Sequence, residues 1–306
     1  MVFPALILLL ALVVDRLLGD PHTPLHPVAL LGRFVGWWGR PARYPPRLQR
    51  AAGVALWTIS VLLFALPFAL AERFLPPLLL LLVAPFLLKA TFAWRSLEEH
   101  ATAVEEALAA GSLGNGRRAA GMLVSRDTAP LSTEEIRSAA YESVAENLSD
   151  SIVAPLFWYC VFAPLGLGLA AAAVYRAINC MDAMLGYPDD RLRLGWWSAR
   201  ADDAANLLPA RISALFGLLW FALHGRFAPA RQALRADRKK RPGLNGGWPM
   251  SVIAGGTGVC FTKPGVYAIG PGERSLAVGG PAIIRAVRGI TLIFSIFAVL
   301  ALFLLA

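Results

Sequence analysis

Residues 51–94 read AAGVALWTISVLLFALPFALAERFLPPLLLLLVAPFLLKATFAW, and their only charges are Glu72, Arg73 and Lys89. An α-helix needs about 20 apolar residues to cross roughly 30 Å of hydrocarbon. Segment 51–71 meets that length without a charge. Segment 74–94 meets it with one, Lys89, near an end where a lysine can snorkel. The short polar turn at Glu72 and Arg73 makes the pair a helical hairpin.

Working outward, 151–175 and 289–306 are also uncharged. Residues 2–14 are apolar before Asp15 and Arg16, and 207–223 is interrupted only by Arg211. The N-terminal run has no basic residue ahead of it and no small-x-small cleavage site, so it is read as a span rather than a signal peptide. The sequence therefore predicts an all-α, polytopic membrane protein with about 4–6 membrane-embedded segments. It reads as one integral membrane domain over 1–306, with a polar helical insertion at about 95–150 and a Gly/Pro-rich loop at about 242–282.

Composition agrees. Of the 306 residues, 57% are hydrophobic and 16% charged, against about 25% charged in a soluble domain. The net charge of +9 is explained by the positive-inside rule rather than by nucleic acid. Arg33, Arg40, Arg43, Arg47 and Arg50 share one loop; Arg226, Arg231, Arg235, Arg238, Lys239, Lys240 and Arg241 share another. Both are expected on the cytoplasmic side, with the bilayer as the partner. Six full spans would put 176–206 outside despite its arginines. Pro155, Pro164, Gly166 and Gly168 offer a way out, by breaking 151–175 into a re-entrant hairpin. The three cysteines, Cys160, Cys180 and Cys260, have no disulfide or zinc spacing.

Residues 19–50 read as a Pro/Gly-rich loop containing His22 and His26. Ser132-x-x-Glu135 is a capping box that starts a helix at 132 or 133. On that helix Glu142, Glu146 and Asp150 fall at i, i+4 and i+8, flanked by Ser143 and Asn147. Three acids in a line repel one another unless neutralised, and Mg²⁺ held by carboxylate and amide oxygens is one solution. Asn179-x-x-Asp182 and Asp202-Asp203-x-x-Asn206 each adjoin an apolar segment, where acids are costly and usually have a partner or a role. Arg200 and Arg211 suit a phosphate clamp, and Ser125-Arg126-Asp127-Thr128 suits either phosphate orientation or a helix cap. Asn245-Gly-Gly-Trp248-Pro249 and Gly255-Gly-Thr-Gly258 offer backbone that a ligand can approach. There is no P-loop, G-x-S-x-G, H-E-x-x-H or C-x-x-C motif.

In this order, the blocks resemble the adenosylcobinamide-phosphate synthase family over nearly the whole chain. They are Gly19-Asp20-Pro21 with His26-Pro27-Val28, then Val124 through Thr128, Glu142 through Ser151, and Asn179 through Tyr187. Ser198 through Asn206 with Pro209-Ala-Arg211, and Gly247-Trp248-Pro249, complete the set. Met250 and Leu244 depart from the family pattern, where an acid and a proline are expected.

The resemblance implies an inner-membrane enzyme that joins adenosylcobyric acid, a corrinoid, to an aminopropanol, as its O-phosphate, using ATP and Mg²⁺. For that chemistry the residues expected to be catalytic are Asp127, Glu146, Asp182, Asp202 and Asp203, with Glu142, Glu146, Asp150, Asp182, Asp202 and Asp203 expected to hold Mg²⁺. His22, His26, Arg126, Arg200, Arg211, Asn147, Asn179, Asn206 and Trp248 would contact substrate or phosphate. Association with other enzymes of the pathway would account for a membrane site. Two other classes compete. An intramembrane prenyltransferase uses N-x-x-D-x-x-x-D boxes, but Gly186 stands at the last acid position of 179–186. A transporter would spread polar residues along its spans; here they gather in loops and span ends.

Overall fold

The computed structural model describes residues 3–21 and 23–305, and among these it consists of helices and their connecting loops, with one short β-hairpin. The chain opens with α1 (Phe3–Leu18), α2 (Pro27–Trp38), α3 (Gln49–Phe74) and α4 (Pro77–Lys89). The polar stretch forms α5 (Arg95–Ala109), α6 (Leu113–Ala120) and α7 (Thr133–Asn147). A π-helical segment, Leu148–Val153, carries α7 into α8 (Ala154–Phe162). Then come α9 (Gly168–Leu185), α10 (Trp196–Ala205), α11 (Leu207–Leu223), α12 (Phe227–Asp237) and α13 (Gly247–Thr257). Strands β1 (Phe261–Lys263) and β2 (Tyr267–Ile269) pair antiparallel, and α14 (Leu276–Leu304) ends the chain.

Among the described residues three helical runs are long and apolar enough to cross a membrane: Gln49–Phe74, Thr133–Leu165 and Leu276–Leu304; α10 with α11 makes a fourth if that bent pair counts as one. Leu62, Leu63, Leu66, Ile296 and Leu300 on α3 and α14 are exposed, as lipid-facing side chains of a spanning helix are. α4 has 13 residues, about 20 Å at 1.5 Å per residue, short of the hydrocarbon thickness.

The expected span at 151–175 is not one helix. α8 stops in a short turn closed by Gly166, whose φ of 69° is left-handed, and α9 packs back against α8. Pro164 cannot continue the helix and glycine accepts the reversal, so the break that the sequence placed at Pro164–Gly168 is observed as a helix–turn–helix. Two stretches read as loops are partly helical. In 19–50, His26 is the N-cap of α2 and Pro27 its first residue, the position where proline's missing N–H costs nothing. In 242–282, α13 is an almost wholly buried helix. A Cβ on Gly255 would lie 2.5 Å from the Pro229 carbonyl oxygen, and one on Gly256 would collide with the Phe221 ring. These glycines serve close helix packing, not flexibility.

By its internal contacts the chain divides into two compact units. The first comprises Met1–Ala93, Ala154–Asn206 and Phe297–Ala306; the second comprises Trp94–Val153 and Leu207–Ile296. In the first unit α9 is the central helix, packed by α2, α3, α4, α8 and α10. The Glu72 carboxylate, at the end of α3, accepts the Leu169 N–H at 3.0 Å and the Ala170 N–H at 3.4 Å. It thus caps α9, whose first N–H groups have no partner within the helix. Glu72→Ala should cost about 1 kcal/mol, the usual size of a lost N-terminal cap, and Glu72→Gln, which keeps an acceptor oxygen, should recover part of it. Thermal melting of the detergent-solubilised variants checks this.

In the second unit the capping box is present: Ser132 Oγ accepts from the Glu135 N–H, and Glu135 Oε2 accepts from the Ser132 N–H at 2.7 Å. Val104 and Leu108 of α5, Ala120 of α6, and Ile136 and Ala140 of α7 make a buried apolar cluster. α13 packs on α7, α11 and α12.

Candidate functional site

Each unit carries a polar cluster in otherwise apolar surroundings. In the first unit, Asp15 of α1 is fully buried and Lys89 of α4 is 4% exposed. Lys89 Nζ lies 3.1 Å from Asp15 Oδ1 and 2.5 Å from Asp20 Oδ1. Lys89 therefore does not snorkel; burial in hydrocarbon surroundings is tolerable because two carboxylates meet it. His26 adjoins this network, with Nε2 4.0 Å from Asp20 Oδ1 and Nδ1 accepting the Val28 N–H at 3.3 Å. With Nδ1 used as an acceptor, the neutral ring carries its proton on Nε2. His22, named with it from the sequence, lies outside the described residues.

Burial holds the His26 pKa below its ordinary 6.5; Lys89 and Arg176 push it the same way and Asp20 opposes. Folding thus favours the neutral ring. The stabilisation is complete above about pH 6.5 and declines as pH falls from there to the depressed folded value. His26→Asn keeps a capping oxygen and cannot titrate. Melting temperatures at pH 7.5 and 5.5 should therefore fall further for the unaltered chain than for His26→Asn.

The same unit gathers Asn179, Asp202 and Asn206. Asn179 Nδ2 donates to Asp202 Oδ1 at 3.3 Å and Asn206 Nδ2 to Asp202 Oδ2 at 3.0 Å, while Tyr175 donates to Asn206 Oδ1 at 2.7 Å. Two amides thus fix the orientation of Asp202 from both sides. Asp182 and Asp203 are half-buried and Arg200 is exposed. Gly186 is not a vacancy where an acid is missing: a Cβ there would collide with the Asp182 carboxylate. The prenyltransferase box cannot be completed at that position without displacing Asp182.

In the second unit the acidic stripe meets arginine. Glu142 Oε2 accepts from Arg126 Nη2 at 2.7 Å and from the Tyr267 hydroxyl at 2.8 Å, and Ser138 donates to Oε1 at 2.7 Å. Arg241 pairs with Glu146. Burial alone would lower the Arg241 pKa, but Glu146, Asp150, Tyr267 and Glu142 around it raise it above the ordinary value. Burial and Glu142 together push the Tyr267 hydroxyl up, so it remains a donor. Asp150 lies in the π-helical segment, where the wider turn takes it off the straight line of Glu142 and Glu146. Such segments recur at functional sites. Asn147 is engaged with Ser143 and Ser151, and Asp127 is an exposed turn residue accepting the Ala129 N–H.

The six acids expected to hold Mg²⁺ are divided, with Glu142, Glu146 and Asp150 in one unit and Asp182, Asp202 and Asp203 in the other. Among the described residues no group of three or more His, Cys, Asp or Glu is placed to hold a metal. The carboxylates of Glu142 and Glu146 are already paired with arginine. A protein-built metal cage does not fit this arrangement.

Trp248 opens α13. The Arg211 guanidinium carbon lies 4.7 Å from its ring centroid and that of Arg238 5.3 Å. Arg211 also donates to Asn245 Oδ1 and to the Leu207 and Leu244 carbonyls. Asp15, Lys89, Arg238, Arg241 and Tyr267 are not among the site residues expected from the sequence. The signal for the first two was present: opposite charges, each near the C-terminal end of an otherwise apolar helix. Arg238 and Arg241 were hidden in a basic run, and Tyr267 in an apparent loop.

Comparison with known proteins agrees over nearly the full length. The family described as CobD/Cbib protein matches residues 8–290. A "Probable cobalamin biosynthesis protein CobD" of Thermococcus kodakarensis is 41% identical, covering 87% of this chain and 85% of that protein. A "Cobalamin biosynthesis protein CobD" of Rhodobacter capsulatus is 36% identical, covering 97% and 98%. That of Dehalococcoides mccartyi is 34% identical, covering 89% and 88%. No solved structure matches. With the family pattern spanning most of the chain and relatives this similar aligned almost end to end, the chain belongs to the CobD/Cbib family.

Proposed function

We propose that this chain acts in cobalamin biosynthesis as an adenosylcobinamide-phosphate synthase of the cytoplasmic (inner) membrane. It would join adenosylcobyric acid to aminopropanol O-phosphate with ATP and Mg²⁺. The observation that supports a chemical site most directly is the Asn179–Asp202–Asn206–Tyr175 network, in which a carboxylate at a helix end is held from both sides. Orienting hydrogen bonds of this kind are what a positioned base or ligand requires.

A carboxylate is a poor electrophile at neutral pH. In the proposed reaction a carboxylate oxygen of the corrinoid attacks a phosphorus of ATP. ADP leaves if the γ-phosphorus is attacked, and pyrophosphate if the α-phosphorus is. The amine then attacks the acyl carbon of the mixed anhydride, and phosphate or AMP departs with one original carboxylate oxygen. The amine proton passes to a carboxylate, for which Asp202 is the assigned base. Arginine supplies the positive charge that phosphoryl and acyl transfer need. Mg²⁺ bound by one or two carboxylates plus substrate phosphates is the common arrangement; no step is assigned to it.

The test is ATP consumption by detergent-purified protein with both substrates present and with each omitted. Turnover that requires both is expected. Silence in folded protein, or turnover of isoprenyl diphosphate instead, would reject the reading.

A further inference from the structure

We infer that Arg211 and Arg238, held against Trp248, form the binding site for a phosphate group of a substrate; this rests on the reading that a substrate of this chain carries phosphate. The argument sorts the arginines by what already neutralises them. Arg126 is paired with Glu142, Arg241 with Glu146 and Arg137 with Glu105 and Glu134. Their charge is spent on the protein's own carboxylates.

Arg211 and Arg238 differ. Arg211 donates to two carbonyls and the Asn245 side-chain oxygen, and Arg238 donates to the Leu234 and Arg235 carbonyls at 3.2 Å. All these acceptors are neutral. Among the described residues neither guanidinium forms an ion pair. Both converge on one indole ring, at 4.7 and 5.3 Å, and cation–π contact of this kind fixes a guanidinium without neutralising it. Both are half-buried, as is Trp248, so the charges are ordered yet accessible.

The three residues come from three helices packed together, the second turn of α11, the C-cap of α12 and the first turn of α13. Gly247 makes the approach possible, since a Cβ there would collide with the Arg238 carbonyl. Two partly desolvated guanidinium forks with neutral partners complement an anion carrying two or more charges, and phosphate matches the fork geometry. Either the nucleotide or the amino alcohol phosphate presents that group.

The experiment is calorimetric binding of ATP, aminopropanol O-phosphate and inorganic tripolyphosphate to the full-length detergent-solubilised protein. The variants are Arg211→Gln, Arg238→Gln, Arg238→Lys and, as a surface-charge control, the exposed Arg231→Gln. Either glutamine variant should weaken at least one phosphate probe about 10- to 100-fold, Arg238→Lys less, and Arg231→Gln not measurably. The probe that loses affinity identifies the source of the phosphate. Unchanged binding of every probe in folded variants, or an equal loss in Arg231→Gln, overturns the site. Arginine-dependent tripolyphosphate binding in a protein without ligase turnover would sustain the site while rejecting the ligase. Ligase turnover with binding indifferent to both arginines would do the reverse.

Discussion

Replacing Lys89 with methionine is expected to destabilise the protein by about 3–5 kcal/mol, the range seen when one partner of a buried ion pair is removed. The side chain is 4% exposed and touches two carboxylates, one of them fully buried. Methionine fills similar volume, so the loss would come from charge rather than from a cavity. At about 2–4 °C per kcal/mol for a chain of this order of size, the apparent melting temperature should fall by on the order of 10 °C. Asp15→Asn in the Lys89→Met background should restore much of the loss, because it removes the carboxylate left without its cation. Melting of the four proteins of this cycle by fluorescence-detected gel filtration measures the coupling. A Lys89→Met protein as stable as its parent would mean that the lysine reaches water after all.

The second large effect is on rate. Asp202→Asn preserves shape but removes charge, and one oxygen that now accepts from an amide becomes a second NH₂ facing Asn179 or Asn206. If Asp202 is the base, kcat for amide formation should fall by about 10²–10⁴-fold. The acid limb of the pH–rate profile should flatten, since that limb reports protonation of the base. Asn206→Ala, which removes one orienting amide, should fall between the two with the limb retained. Full ligase activity in Asp202→Asn would sink the assignment.

What was legible in the sequence was local. The Ser132–Glu135 capping box lies within one turn, and the Pro164–Gly166 reversal is written in residues that dictate backbone geometry. The all-α membrane class followed from charge spacing alone. What was illegible depended on partners far along the chain. The stripe of Glu142 and Glu146 suggested metal because its neutralising arginines, Arg126 and Arg241, are 16 and 95 residues away, and its hydrogen-bond donor Tyr267 is 125 away. α13 looked like a loop because its glycines are explained only by the α11 and α12 surfaces they pack against. Asp15 and Lys89 were visible as isolated charges, but only tertiary structure brings α1 against α4.

The most direct test of the account uses adenosylcobyric acid labelled with ¹⁸O in the reacting carboxylate, incubated with the purified protein, ATP and aminopropanol phosphate. Activation by ATP predicts one labelled oxygen in the phosphate released, or in AMP if the intermediate is an adenylate, in step with the amide formed. Amide formed with no label in either product, or no amide from folded protein, would contradict it.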